Sequence, residues 1–206
     1  LEPCSHYGKT PPCVKSIIQK KIKKVFFSVR DPDQRSFDKS SKILRDNGIF
    51  VNNGLLSNEI KFFYRSYLKF KKKTLPFVTC KLAISKDFYV NNTSKNKYIT
   101  NEFSRGRVHI MRSNHDCIMT SSRTIINDNP RLTCRIDGLK ARSPSRIILD
   151  NKLNIPIDSK IIKEANNYST IIFYNKFDDK KIKLLKKLKI KIFKISLDNS
   201  GNLHLK

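Results

Sequence analysis

No apolar run in this sequence approaches the roughly 20 residues that a membrane-crossing helix needs. No signal peptide opens it either, although it begins at Leu1, with a cysteine motif three residues on. A start inside a motif points to a chain without its natural N-terminus. Acidic residues are scarce: 17 Asp and Glu against 43 Lys and Arg give a formal net charge of +26. Such a balance raises nucleic acid or an anionic membrane as a partner. The lysines, however, are scattered among Asn and Ile instead of gathered in one arm, which reads more readily as solvated faces. The expectation is therefore no specific nucleic acid and no membrane. Five cysteines, an odd number, fit a reducing compartment better than a disulfide framework, and hence a cytoplasmic protein. Cys80, Cys117 and Cys134 sit among apolar or β-type residues and read as small core residues. No repeat of solenoid period occurs.

Hydrophobic periodicity gives alternating helices and strands, the pattern of an α/β fold with a mainly parallel sheet. Val14, Ile17, Ile18 and Ile22 have helical spacing, and 25–29 reads as a strand. A helix near 39–46 and a short strand at 49–51 follow, then a helix capped by Ser57 with Ile60, Phe63, Tyr64 and Tyr67 on its apolar face. The lysine run 69–74, with Pro76 beyond it, reads as a solvated linker, which places a domain boundary between residues 1–73 and 74–206. A second series begins with a strand at 77–84 and a helix at 102–112 capped by Thr100 or Asn101. Strands at 117–120, 146–149, 170–174 and 190–195 complete it, with helices from Ser122 or Arg123 and over 179–188.

The segment Leu1-Glu2-Pro3-Cys4-Ser5-His6-Tyr7-Gly8-Lys9-Thr10-Pro11-Pro12-Cys13 carries the most chemistry. Two thiolates on a turn rich in Gly and Pro, ahead of a helix, can face one metal ion. Spacing alone leaves a structural turn with two unused thiols as an open alternative. The full string closely resembles the zinc-binding segment of the bifunctional riboflavin-biosynthesis deaminase/reductase family. That resemblance implies a cytidine-deaminase-like domain in which Cys4 and Cys13 are Zn2+ ligands. In zinc deaminases a third ligand and a proton-shuttling Glu come from an upstream His-x-Glu motif. None of His6, His109, His115 and His204 is followed two residues later by Glu, and Glu2 reads as part of a strand end. The resemblance also places His6, Lys9 and Asp31 against a pyrimidine nucleotide substrate. The family's Asp-Pro-Asn-Pro motif reads Asp31-Pro32-Asp33-Gln34 here, a departure at position 33.

The second half resembles the reductase domain of the same family, which has a dihydrofolate-reductase-like fold and uses NADPH. The carriers are Lys81 to Asp87, Tyr98-Ile99-Thr100, Arg112 to Asp116 and, above all, the long string Thr120 to Arg135. A strand-to-helix turn at Ser121–Thr124, with hydroxyls and backbone N–H groups, suits an anionic cofactor. The resemblance assigns Ala83, Tyr98, Thr124, Asp128 and Asn151 to NADPH. It assigns Asn96, Arg112, Leu132 and Arg135 to the ribose-phosphate substrate, for which paired guanidiniums are well suited. Taken singly, each Arg in so basic a chain reads as solvated surface. Lys81 is the candidate catalytic residue, placed to polarise the sugar carbon that accepts hydride. Tyr98 stands for the family's Trp, and Phe88 for its Gly in Ser-Leu-Asp-Gly, so an altered turn after Asp87 is expected. The family's Glu-Gly-Gly-like loop has no counterpart before Lys206.

The leading reading is an enzyme: zinc-dependent deamination of a diaminopyrimidinone ribosylamino phosphate, then NADPH-dependent reduction of its ribose to ribityl. This chain, without the His-x-Glu and Glu-Gly-Gly elements, is expected to perform neither step. Pairing through the reductase domain is the expected oligomeric contact. Two alternatives remain at this stage: a reductase-only or degenerate homologue with a scaffold zinc half, and a basic nucleic-acid-binding module.

Overall fold

The computed structural model describes residues 1–73, 75–90, 98–176 and 178–205. The chain divides into two compact units, Leu1–Leu82 and Ala83–Lys206.

In the first unit, helices α1 (Cys13–Gln19), α2 (Lys39–Asp46), α3 (Ser57–Phe63) and α4 (Arg65–Lys73) accompany strands β1 (Lys24–Phe27) and β2 (Phe50–Asn53). The two strands run parallel, with Val25 opposite Val51. Alternation along them explains the layering. Phe27 and Val51 turn into a core with Val14, Leu44 and Ile49, while Phe26 and Phe50 meet on the open face with ring centroids 6.0 Å apart. The spacing of Val14, Ile17 and Ile18 gives α1 the one apolar face that this core requires.

Helix α2 shows how the N-terminal segment is held. Its N-cap, Asp38, has left-handed backbone and makes no side-chain cap. The cap comes from far away in sequence: the buried Glu2 carboxylate accepts the Asp38 N–H at 3.2 Å and the Ser41 N–H at 3.4 Å. A carboxylate at a helix start satisfies orphan donors and complements the helix dipole. Glu2 also donates its own N–H to the Val29 carbonyl, so it does lie along the strand's continuation. The lysine run is not a linker, since 69–73 belongs to α4. Lysine is a fair helix former, and the first residue that cannot continue a helix is Pro76.

The expected strand at 77–84 does not form. Residues 75–85 run without helix or ladder, and Val78 and Leu82 are 74% and 68% exposed. β-propensity expresses itself only where a neighbouring strand accepts the hydrogen bonds and covers the side chains. Cys80 is accordingly exposed instead of part of a core.

The second unit contains α5 (Glu102–Ser113), β3 (Cys117–Ser121), α6 (Ser122–Asp128), a 3-10 turn (Lys140–Arg142), β4 (Ser145–Leu149), α7 (Lys160–Lys163), β5 (Thr170–Tyr174), α8 (Asp179–Lys187) and β6 (Lys191–Lys194). The four strands form one parallel sheet in the order β3-β4-β5-β6. Asn101 caps α5 by accepting the Ser104 N–H at 2.9 Å, and Asp178 caps α8 in the same way through Lys181. Ile148 and Ile172 lie fully buried beneath Ile125, Ile161, Ile162, Ile182 and Leu185. The other face carries Met119 and Phe193, each 49% exposed. Cys117 lies at the exposed start of an edge strand, contrary to expectation, whereas Cys134 is buried.

An arginine lies inside this core. Arg146 is fully buried on β4, opposite Thr170 in register. Its guanidinium donates to the Thr170 hydroxyl and to the carbonyls of Arg131, Ile161 and Tyr168. The Glu164 carboxylate lies 3.9 Å away. Dense hydrogen bonding of this kind is what allows a buried guanidinium to persist.

Candidate functional site

In the first unit the structure brings the two motif cysteines together. Their sulfurs lie 3.3 Å apart, and the Cys13 N–H donates to the Cys4 sulfur at 3.2 Å. Their shared hydrogen bond, followed by burial, raises the Cys13 thiol above its ordinary value. The loop is tied down at several points. The Cys4 carbonyl accepts the Val14 N–H, the Ser40 hydroxyl donates to the Pro3 carbonyl, and the Ser5 hydroxyl donates to Arg35 at 2.9 Å. His6 turns its Nδ1 to the buried Ser36 hydroxyl at 3.0 Å, and Lys9 is exposed. Two converging thiols are a donor set that suits zinc. Among the described residues, however, no group of three His, Cys, Asp or Glu side chains could hold a metal. The fit is to two ligands, not to a whole site.

Asp31 is engaged from within the unit: its carboxylate accepts the Asp33 N–H at 3.0 Å and the Tyr67 hydroxyl at 2.8 Å. Burial and that bond push Tyr67 up to about 12. At the departed motif position, Asp33 pairs with Arg35 and Lys71, which hold its carboxyl far below the usual range. Tyr67 and Lys71 stand one turn apart on α4, so the helix that absorbed the lysine run also braces this loop.

In the second unit, the Arg112 side chain and the Arg135 backbone meet around the segment 132–135. Arg112 Nη1 donates to the Thr133 carbonyl at 3.2 Å and lies 3.5 Å from His109 Nδ1. The same Nδ1 accepts the Arg135 backbone N–H at 3.2 Å. Burial first, and then the Arg135 charge, lower the Arg112 pKa. Its Nε is buried with no hydrogen-bond partner among the described residues. Leu132 is buried and has left-handed backbone, φ +59°. A cleft of about 470 Å³ is lined in part by Arg131, Thr133, Arg135, Lys140 and Glu164, while Arg112 lies outside its lining. Two arginines close enough for one charge to act on the other are chemically suited to an anion with several oxygens, such as a phosphate monoester.

The residues assigned to a cofactor are more dispersed in their engagements. Thr124 and the exposed Asp128 lie one turn apart on α6, and Ser121 before them makes no side-chain cap. Tyr98 is 60% exposed, with the Arg105 guanidinium 4.3 Å from its ring centre. Asn151 follows β4 and donates to the Gly201 carbonyl at 3.3 Å. A hydroxyl, a carboxylate, and an aromatic ring beside a guanidinium are chemically suited to a phosphorylated nucleotide. Ala83 is half-buried and Lys81 exposed, both in the segment without a ladder, so Lys81 is not on a buried strand. Asn96 lies outside the described residues. Phe88 stands in left-handed backbone, a conformation that glycine adopts without strain. It has φ +66°, and the Phe88 N–H donates to the Ser85 carbonyl at 3.0 Å.

Sequence reading missed His109, Arg146 and the cap made by Glu2. The i, i+3 spacing of His109 and Arg112 on one helix was the available signal for the first.

Comparison with known proteins agrees across both units. The model of the RibD C-terminal domain matches residues 76–204. The riboflavin biosynthesis protein RibD of Bacillus amyloliquefaciens is 38% identical over 200 residues, which is 96% of this chain and 53% of that protein. The protein of the same name from Aquifex aeolicus is 33% identical over 188 residues, covering 91% and 52%. Among solved structures, the chain is similar to Acinetobacter baumannii RibD, form 1, with a TM-score of 0.79 at 25% identity, covering 97% of this chain and 55% of that one. It is also similar to a diaminohydroxyphosphoribosylaminopyrimidine deaminase/5-amino-6-(5-phosphoribosylamino)uracil reductase from Thermotoga maritima. There the TM-score is 0.76 at 30% identity, covering 94% of this chain and 59% of that one. The chain spans about half the length of the curated relatives it matches. On these grounds the chain belongs to the RibD family of riboflavin biosynthesis proteins.

Proposed function

We propose that the whole protein acts in riboflavin biosynthesis as a bifunctional enzyme, first deaminating a diaminopyrimidinone ribosylamino phosphate and then reducing its ribose to ribityl. The observation that carries this reading is the placement of the Arg112 guanidinium on the Thr133 carbonyl beside the Arg135 backbone, inside the matched reductase domain, with the Arg135 charge acting on Arg112. The thiol pair supports the deaminase half. There Cys4 and Cys13 would supply two zinc ligands, and bound zinc would supply Lewis acidity toward water. His6, Lys9 and Asp31 would border the pyrimidine nucleotide, with Asp31 oriented by Tyr67. In the reductase half NADPH would supply the reducing equivalents, bordered by Ala83, Tyr98, Thr124, Asp128 and Asn151. Arg112 and Arg135 would anchor the phosphate, Leu132 and Asn96 would border the sugar, and Lys81 would polarise its reacting carbon. Anchoring a remote phosphate matters because position, more than acid–base help, governs a transfer between two bound molecules.

No described helix is long and apolar enough to cross a membrane. A cytoplasmic enzyme that pairs through its reductase domain is part of the same proposal. So is the absence of a specific nucleic-acid partner, because dispersed lysines give only weak, salt-sensitive association.

The test supplies the aminopyrimidine nucleotide with zinc, then the deaminated product with NADPH, and follows ammonia release and loss of NADPH absorbance. The 206-residue chain should release no ammonia, because among the described residues only Cys4 and Cys13 come together as zinc ligands. A chain carrying an upstream His-x-Glu segment and the family's Glu-Gly-Gly-like loop should turn over both. In that longer chain, Arg112→Ala should raise KM for the phosphorylated substrate about tenfold or more while leaving KM for NADPH in place. Ammonia release by the 206-residue chain would refute the zinc-ligand assignment, and an unmoved substrate KM would refute that of Arg112.

A further inference from the structure

His109 lies one turn before Arg112 on α5 and is half-buried against the segment that carries Arg135. Its Nδ1 faces two groups, the Arg135 backbone N–H at 3.2 Å and the Arg112 Nη1 at 3.5 Å. Both are obligate donors, since neither an amide nitrogen nor a guanidinium can accept. Nδ1 must therefore present its lone pair, which places the ring proton on Nε2. The imidazole is one of two acceptors around the Arg112 head group, the other being the Thr133 carbonyl at 3.2 Å.

We propose that His109 is a positioning residue for phosphate binding: its Nδ1 lone pair holds the Arg135 backbone and the Arg112 guanidinium together, so that two mutually repelling cations face one anion. The inference rests on the reading of Arg112 and Arg135 as the phosphate anchor. Histidine is suited to the task for an electrostatic reason. A carboxylate in its place would also accept both bonds, but its charge would neutralise the arginines and repel the phosphate. A neutral imidazole accepts without competing. Burial, and then the charges of Arg135 and Arg112, lower the His109 pKa below its ordinary 6.5, opposed by the Thr133 carbonyl, so the ring is neutral at neutral pH. The Nε–H of Arg112 is buried with no hydrogen-bond partner among the described residues.

The experiment uses the 206-residue chain and inorganic phosphate as the probe, with affinity read by calorimetry at fixed ionic strength. His109→Asn places an amide oxygen near the position of Nδ1 and should stay within about threefold of the parent, whereas His109→Leu removes the acceptor and should weaken phosphate binding about tenfold. In an Arg112→Ala background, His109→Leu should cost little more, since the guanidinium that it orients is gone. Nitrogen-15 NMR of the ring should show an unprotonated Nδ1 at pH 7. If His109→Leu fails to fold, His109→Gln, whose amide reaches the ε position instead, takes its place with the same expected loss. Equal losses in the Asn and Leu variants, an undiminished loss without Arg112, or a protonated Nδ1 would each overturn the role of His109. Phosphate affinity that ignores Arg112→Ala, or no phosphate binding by the parent, would overturn the anchor itself and the inference with it.

Discussion

The two units share an α/β construction but hold their candidate sites in different ways. In the first, two strands enclose a core of five buried apolar residues, and the thiol loop is part of what keeps the unit together. Glu2, Pro3, Ser5 and His6 are all bonded to the stretch 35–41. In the second, four strands support a core of thirteen buried apolar residues among those described. There Arg112 and Arg135 lie outside the apolar cluster, to which Leu132 of the neighbouring segment belongs. Where the core is small, the residues that shape the site and those that stabilise the unit coincide. A larger core lets them separate.

The largest test of this contrast is Arg146→Ala. It would leave the Arg131 and Ile161 carbonyls and the Thr170 hydroxyl without that donor, the Tyr168 carbonyl keeping the Thr170 hydroxyl, and truncating a buried charged group of this kind typically costs about 3–5 kcal/mol. Urea unfolding should show that loss, with hydrogen exchange accelerated in β4 and β5. An unchanged midpoint would mean that the bonds to the guanidinium add nothing. Glu2→Ala should cost less, about 1–2 kcal/mol, as the loss of a buried cap does. Exchange should quicken at the Asp38 and Ser41 amides, and the Cys4–Cys13 loop should loosen with them, seen as faster thiol alkylation. A loop that keeps its alkylation rate would break the link between stability and site in the first unit. The smallest effect is a gain. Phe88 holds left-handed backbone while 80% exposed, so Phe88→Gly should stabilise by about 0.5–1 kcal/mol in thermal melts. A lower melting temperature would show that the exposed ring contributes contacts that outweigh its backbone conformation.

Most elements were legible because burial imposes a period on the sequence. The strand 170–174 and the helix 39–46 fall where alternation and i, i+3, i+4 spacing place them. Two failures have separate causes. The run 77–84 has a strand's composition, and 69–73 has a linker's charge, yet a strand needs a partner and lysine tolerates a helix. The thiol pair and the two arginines were visible through long, specific strings. Arg146 was not, because in so basic a chain an arginine on a strand reads as surface. Nor was His109, since an isolated histidine shows its role only when its ring nitrogens can be matched with donors.

Leu132 sets an unusual limit on how this region can change. Its side chain is 7% exposed within the apolar core, while its backbone has a φ that few side chains adopt readily. Glycine would accept the torsion and leave the core short of a side chain. Valine or isoleucine would fill much of the space and resist the torsion, since branching at Cβ disfavours positive φ. Asparagine accepts the torsion but brings an amide into hydrocarbon. Each common replacement thus satisfies one requirement and violates the other, so exchange at position 132 is accessible chiefly through paired changes that first relax the turn or first refill the core.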